Sequence, residues 1–150
     1  MKIYLKNPFV SILLSLMAGM FMTISFLETP MKFQVEGVTL PVALGLGKLM
    51  FGLSAKLQWV FMILILSFLF INRKNHTKVD FFIILILILI LSLEQFWMLP
   101  ELDARVDILS SGGSLPPTPL HNYFIYSETA KAILLITAII LQFKTQPNRL

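Results

Sequence analysis

Apolar residues fall into four long runs, at residues 9–27, 49–71, 81–99 and 123–143, and polar or turn-forming residues gather between them. Each run is close to the roughly 20 residues a helix needs to cross a hydrocarbon core of about 30 Å. The pattern predicts an all-α membrane protein, a four-transmembrane-helix bundle. Four spans with short connections use nearly the whole length, so residues 1–150 are expected to form a single integral membrane domain.

The connections carry their own signals. Pro30 is expected to stop the first span. The stretch from Glu36 to Pro41 reads as extended or turning, and the segment from Val42 to Lys48 leads into the second span. This connection is apolar for an aqueous loop, which places it at the interface or folded over the mouth of the bundle. In the third connection Pro100 suits a first helical position. Leu102, Val106 and Leu109 then share one face, opposite Asp103, Arg105 and Asp107. That spacing predicts a short amphipathic interfacial helix lying on the membrane or capping the bundle. Gly112 and Gly113 end it, and the proline-rich stretch at 114–119 is expected to be stiff and extended.

Composition supports the membrane reading. The chain is 57% hydrophobic and 13% charged, against about 25% charged in soluble proteins. With no cysteine there can be no disulfide, thiolate nucleophile or cysteine-ligated metal. The net charge of +4 comes without a basic stripe or reader motif, so nucleic acid is not an expected partner. The basic residues instead sit in loops and tails, where they set orientation. Lys2, Lys6, Arg73, Lys74, Lys78, Lys144 and Arg149 fall on one side; Lys32, Lys48 and Arg105 fall on the other. The imbalance predicts both termini in the cytoplasm. Lys2 and Lys6 before an apolar core resemble a signal peptide, but no small-residue cleavage pattern follows, so an uncleaved first span is expected.

Three spans contain ionisable residues: Lys56, Glu94, and the pair Glu128 and Lys131. Buried charges in lipid are costly and normally face a bundle interior. In the predicted orientation each lies in the outer half of its span, at depths of roughly 8–12 Å. The inner half is almost purely aliphatic, most plainly from Phe81 to Leu91. This fits a polar pocket open to the outside and sealed below. A channel would need polar lining through its full depth.

Helical spacing groups the candidates. Lys48, Gly52 and Lys56 share one face of the second span. His121, Phe124, Glu128 and Lys131 share one face of the fourth. Glu128 and Lys131 can pair within the helix, either as a neutralising ion pair or as a proton- or ligand-binding pair. Glu94 needs a partner or must become neutral, and contact with Lys56 or Lys131 is expected. His121 reads as a rim residue. Glu28, Glu94, Glu128 and His121 could together approach a metal, but no Glu-x-x-His motif of the di-iron bundles is present, and no metal or cofactor is predicted. Ser11, Ser15, Gly19 and Thr23, at spacing four, are expected to let a neighbouring helix approach closely.

The connecting segments resemble a family of bacterial four-span integral membrane proteins without an assigned reaction. The resemblance rests on Phe26-Leu27-Glu28-Thr29-Pro30-Met31-Lys32-Phe33, Gly37-Val38-Thr39-Leu40-Pro41 and Gly47-Lys48. Further on it rests on Leu99-Pro100-Glu101-Leu102-Asp103-Ala104-Arg105, Leu115-Pro116-Pro117, Leu120-His121, Glu128 and Lys131. It covers most of the chain and implies a membrane bundle in the bacterial inner membrane; it adds no chemistry.

The leading functional reading is a non-enzymatic membrane protein whose outward-facing polar pocket binds a small ligand, ion or proton. Its candidate residues are Glu94, Lys56, Glu128, Lys131, His121, Glu28 and Lys48. A second reading is an accessory or assembly subunit of a larger membrane complex; a homo-oligomer is also compatible with four spans. A third is a membrane-embedded enzyme acting on a lipid, with Glu128, His121, Glu94 and Glu101 as acid–base groups. Against the third stand the missing nucleophile, phosphate-loop and Asp-rich metal motifs.

Overall fold

The structure, a computed structural model, describes residues 2–146; Arg149, used above in the orientation count, lies outside them. Four helical runs are long and apolar enough to cross a membrane: Pro8–Gln34, Leu40–Ile71, Lys78–Ser110 and Leu120–Ile140. Each differs from its apolar run at the ends, because turn chemistry and packing extend helices past the apolar boundary.

The first run comprises α1 (Pro8–Met22), a wide π turn over Thr23–Glu28, and the single turn α2 (Thr29–Met31), closed by a 3₁₀ turn at Lys32–Gln34. Asn7 starts α1: its Oδ1 accepts from the Phe9 and Val10 amides at 3.1 and 3.4 Å, and Pro8 needs no donor at this position. The second helix, α3 (Leu40–Ile71), begins at Leu40 rather than near Leu49. Thr39 is extended and Pro41 lies in the first turn, so the segment expected to turn over the mouth is helical instead. Ala43 and Gly47 are buried there. Packing therefore outweighs the helix cost of Gly45 and Gly47.

Helix α4 (Lys78–Leu93) opens with a capping box between Thr77 and Asp80. It continues through a π turn at Glu94–Met98 into α5 (Leu99–Ser110). Residues 99–110 of the third connection are therefore helical, as a continuation of the third run. Its end is a Schellman turn. Gly112 lies at φ +84°, its amide reaches the Leu109 carbonyl at 3.2 Å, and the Gly113 amide reaches the Ile108 carbonyl at 3.0 Å. Helix α6 (Leu120–Ile140) follows the extended proline-rich link.

Both π turns end two residues before a proline, Pro30 and Pro100. Proline removes an amide donor, and its ring clashes with the carbonyl four residues back. Widening the preceding turn to i→i+5 bonding accommodates both effects. The Thr29 and Leu99 amides accordingly bond to the Ile24 and Glu94 carbonyls. Pro30 thus widens the first helix without stopping it.

One face of each helix builds the core. Val10, Leu14, Met17 and Phe21 of α1 meet Met62, Ile65 and Leu69 of α3, Ile84 and Leu87 of α4, and Leu135 of α6. The small-residue stripe behaves differently. Ser11 is buried, but Ser15, Gly19 and Thr23 are exposed, and a Cβ at Gly19 would meet nothing within 4 Å. A four-residue step advances about 40° around a 3.6-residue helix, so the stripe drifts off the core. Among the described residues no helix packs on its far end.

The termini meet at one end of the bundle. Strand β1 (Lys2–Leu5) pairs antiparallel with β2 (Phe143–Gln146), with Tyr4 opposite Lys144. The fourth helix therefore stops at Ile140, before the end of its apolar run. At the same end the Lys6 ammonium lies 2.8 Å from Asp80 Oδ2, and both side chains are buried. Asp80 also accepts from the Thr77 amide and hydroxyl at 2.6 and 2.8 Å. This ties the start of α1 to the start of α4. In the adjoining turn, burial pushes the His76 imidazole below its ordinary range, against the attraction of Asp80.

Removing one partner of a buried ion pair leaves the other uncompensated, at a cost of about 3–5 kcal/mol. Asp80→Ala is expected to lower unfolding stability in detergent by about that amount, since the cap is lost as well. The double substitution Lys6→Met with Asp80→Leu is expected to recover most of it. Equal loss in single and double variants would show that the pair does not hold this end together.

Candidate functional site

The intramembrane charges converge at the middle of the bundle. Glu94 begins the π turn of the third helical run. Glu128 and Lys131 lie one turn apart on α6. All three are buried, with exposures of 1%, 5% and 1%. The Lys131 ammonium hydrogen-bonds Glu94 Oε2 and donates to Glu128 Oε1 at 2.8 Å. Its remaining direction faces the Phe21 ring, 4.6 Å from the centroid, a cation–π contact strengthened by desolvation.

Two serines complete the arrangement. Ser25, in the first π turn, donates to Glu128 Oε2. Ser127 Oγ lies 2.8 Å from Glu94 Oε1 and 2.8 Å from the Phe124 carbonyl oxygen. All four carboxylate oxygens therefore have a polar neighbour. Buried charge is tolerated only with this degree of satisfaction.

The expected contact between Glu94 and a lysine is present, and the partner is Lys131. Lys56 is elsewhere: it is exposed on the outer surface of α3, because Ser54, Ala55 and Gln58 take the buried positions at this level. The shared face predicted for Lys48, Gly52 and Lys56 therefore does not deliver Lys56 to the centre.

A separate cavity of about 340 Å³ opens at the end of the bundle opposite the termini. This is within the range of small-molecule sites. Its walls are mainly apolar, from Phe33, Leu44, Phe51, Leu102, Val106 and Leu109, and its charged groups are Lys32, Lys48, Arg105 and Asp103. His121 lines it as well. Phe124, one turn before Glu128 on α6, also lines the cavity and packs in a cluster with Ala55, Met98 and Leu99. Its ring meets Phe51 edge-on at 5.2 Å. That apolar layer stands between the cavity and the buried triad. Glu94, Glu128 and Lys131 do not line the cavity, so the one polar pocket expected from the sequence is two distinct places.

Lys32 is the cavity's most unusual residue. It is 7% exposed, and Glu28 Oε2, at 3.5 Å, is its hydrogen-bond acceptor. Two rings, Phe33 and Phe51, lie 5.7 Å from its ammonium. Gly47 makes room for it: a Cβ there would approach the ammonium to 2.8 Å. An ammonium carries three donors, and one long hydrogen bond leaves two without a hydrogen-bond acceptor among the described residues. Glu28 Oε1 is buried without a partner. Lys48 is half-buried and pairs with Asp107 at 2.6 Å, joining α3 to α5.

Sequence reasoning passed over Lys32, Ser25 and Ser127. The i,i+4 spacing of Glu28 and Lys32 was a usable signal; nothing local marks Ser25, which acts across 103 residues of sequence. Among the described residues no group of three or more His, Cys, Asp or Glu side chains is arranged to hold a metal ion. No family model, no curated protein and no solved structure matches the chain.

The triad makes an asymmetric prediction. Lys131→Met strands two carboxyls in the core and is expected to cost about 3–5 kcal/mol of stability. Glu94→Gln leaves the Lys131–Glu128 pair intact and is expected to cost less than half of that, as read by thermal unfolding in detergent. Equal costs would mean that the two carboxyls are not alternatives for one cation.

Proposed function

We propose that this chain is an integral protein of the bacterial inner membrane, with both termini cytoplasmic, whose outward-facing cavity binds a small amphiphile with an anionic head. The observation that carries the reading is Lys32: a buried ammonium with unused donors, at the wall of a largely apolar cavity. The charged residues lining the cavity are Lys32, Lys48 and Arg105 against Asp103. They attract an anion, while Phe33, Phe51, Leu102 and Val106 suit an alkyl body. The excess of basic residues at the terminal end of the bundle supports the orientation, with the cavity on the far side. Bacterial origin rests on the sequence resemblance.

A second reading, an accessory subunit of a larger complex, is favoured by one observation: Ser15, Gly19 and Thr23 leave a small-residue face of α1 uncovered. A helix of another chain could approach closely there.

The test is binding of a medium-chain alkyl carboxylate or alkyl phosphate to the purified protein in nanodiscs. Hydrogen bonds to charged groups are worth about 1.5–3 kcal/mol. Lys32→Met is accordingly expected to weaken binding by about 10- to 150-fold, and Lys48→Met by less, because Lys48 is already committed to Asp107. Gly47→Ala is expected to weaken binding too, by displacing the ammonium. If the uncharged alkyl alcohol binds as well as the acid and Lys32→Met changes nothing, the reading fails. Stoichiometric copurification of a larger membrane protein, lost when Gly19 is replaced by Leu, would favour the second reading.

A further inference from the structure

The charge count of the buried triad does not balance. Glu94 and Glu128 are two acids; Lys131 is one base. With all three ionised the middle of the bundle carries a net negative charge among residues no more than 5% exposed. Among the described residues the surrounding elements supply no further cation to offset it. Helix α1 and its π turn contribute Phe21 and Ser25, the third helical run contributes Glu94, and α6 contributes Glu128 and Lys131. On α3, Lys56 is exposed and forms no ion pair among the described residues. A proton on one carboxyl would restore neutrality, and burying an uncompensated charge is the costlier alternative.

The hydrogen bonds indicate which carboxyl. The Lys131 ammonium has three donors, and they face Glu94 Oε2, Glu128 Oε1 and the Phe21 ring. Ser25 has one donor and one acceptor in reach, Glu128 Oε2. Glu128 is thus fully served by donors as an anion. Ser127 differs. Its single proton faces two acceptors, Glu94 Oε1 and the Phe124 carbonyl, each at 2.8 Å. A hydroxyl donates once and accepts twice. If Glu94 Oε1 carries a proton, Glu94 donates to Ser127 Oγ and Ser127 donates to the Phe124 carbonyl, and every short contact is a hydrogen bond. If Glu94 is ionised, Ser127 satisfies one of the two and the other contact is oxygen against oxygen.

We propose that the buried Glu94–Lys131–Glu128 triad is a proton-binding site whose resting state holds one proton on Glu94 Oε1, donated to Ser127 Oγ. The site then consists of a lysinium–glutamate pair and a neutral carboxylic acid. It lies beneath the layer of Phe124, Leu99 and Met98, of which Phe124 and Leu99 line the cavity, and its proton count is independent of whether the cavity takes an anionic amphiphile.

Infrared spectroscopy of the purified protein in nanodiscs tests this at neutral pH. A carbonyl stretch of a protonated carboxylic acid is expected, shifting on deuteration. It is expected to vanish in Glu94→Gln. It is expected to vanish in Glu128→Gln as well, because Lys131 then neutralises Glu94 without a proton. Ser127→Ala is expected to keep the band and move it to higher frequency, through loss of the hydrogen bond; Ser25→Ala is expected to leave it in place. Absence of the band in the unsubstituted protein overturns the proposal without any variant. A band that survives Glu94→Gln, or that moves in Ser25→Ala and not in Ser127→Ala, places the proton elsewhere and overturns it too.

Discussion

Three of the four long helical runs meet at the ammonium of Lys131, held between Glu94 and Glu128. In an apolar bundle an unpaired lysine is among the most expensive groups to bury. Its pairing therefore constrains the structure strongly. The third run must bring Glu94 to the same level as α6, and the first must bring Phe21 beneath the ammonium and Ser25 against Glu128. Dispersion and small gaps between aliphatic faces leave helices free to slide or rotate. A hydrogen-bonded ion cluster does not, because each carboxylate oxygen loses its donor when the register changes. The aliphatic faces below, from Leu14, Leu87 and Leu135, supply area; the triad supplies the address.

Two prolines help to set that address. Pro30 and Pro100 each follow a π turn, and these two wide turns carry Ser25 and Glu94. A wide turn inserts one residue into the helical register and so rotates everything beyond it. π turns of this kind are rare and recur at functional sites. Here the cause is local: each proline excludes normal bonding to the preceding turn. The consequence is global, since the polar groups of the first and third runs reach the same centre. Beyond each wide turn the chain turns its face to the cavity instead, with Lys32 after the first, and Leu102 and Val106 after the second.

The arrangement stacks by depth. At the end away from the termini lies a cavity with a cationic wall. Beneath it an aromatic and thioether layer of Phe51, Phe124, Met98 and Leu99 closes the floor. Beneath that lie the triad and then the aliphatic core, ending at the Lys6–Asp80 pair and the short ladder of the termini. The cavity and the buried triad are thus separated by one side-chain layer. The ring of Phe124 is the element they share, and Ser127 touches its carbonyl.

Much of this was written in the sequence. Four apolar runs of membrane length fixed the number of helices. Charges at positions 56, 94, 128 and 131 within the apolar runs announced a polar centre, since lipid disfavours such residues on its own side. Spacing placed Glu128, Lys131, Phe124 and His121 on one face. What spacing could not decide was rotation about each helix axis and depth relative to the neighbours. Lys56 looked equivalent to Lys131 along the chain, yet the buried face at its level belongs to Ser54, Ala55 and Gln58, and it lies outside. Lys32 looked like an orientation signal in a loop, yet the helix runs through Pro30 and folds the ammonium into a space left by Gly47. The termini carried no visible pairing signal, because four-residue strands become stable only when the bundle brings them together. Local pattern determines which residues must leave water; tertiary packing determines which of them meet, because a partner is a property of two helices and not of one.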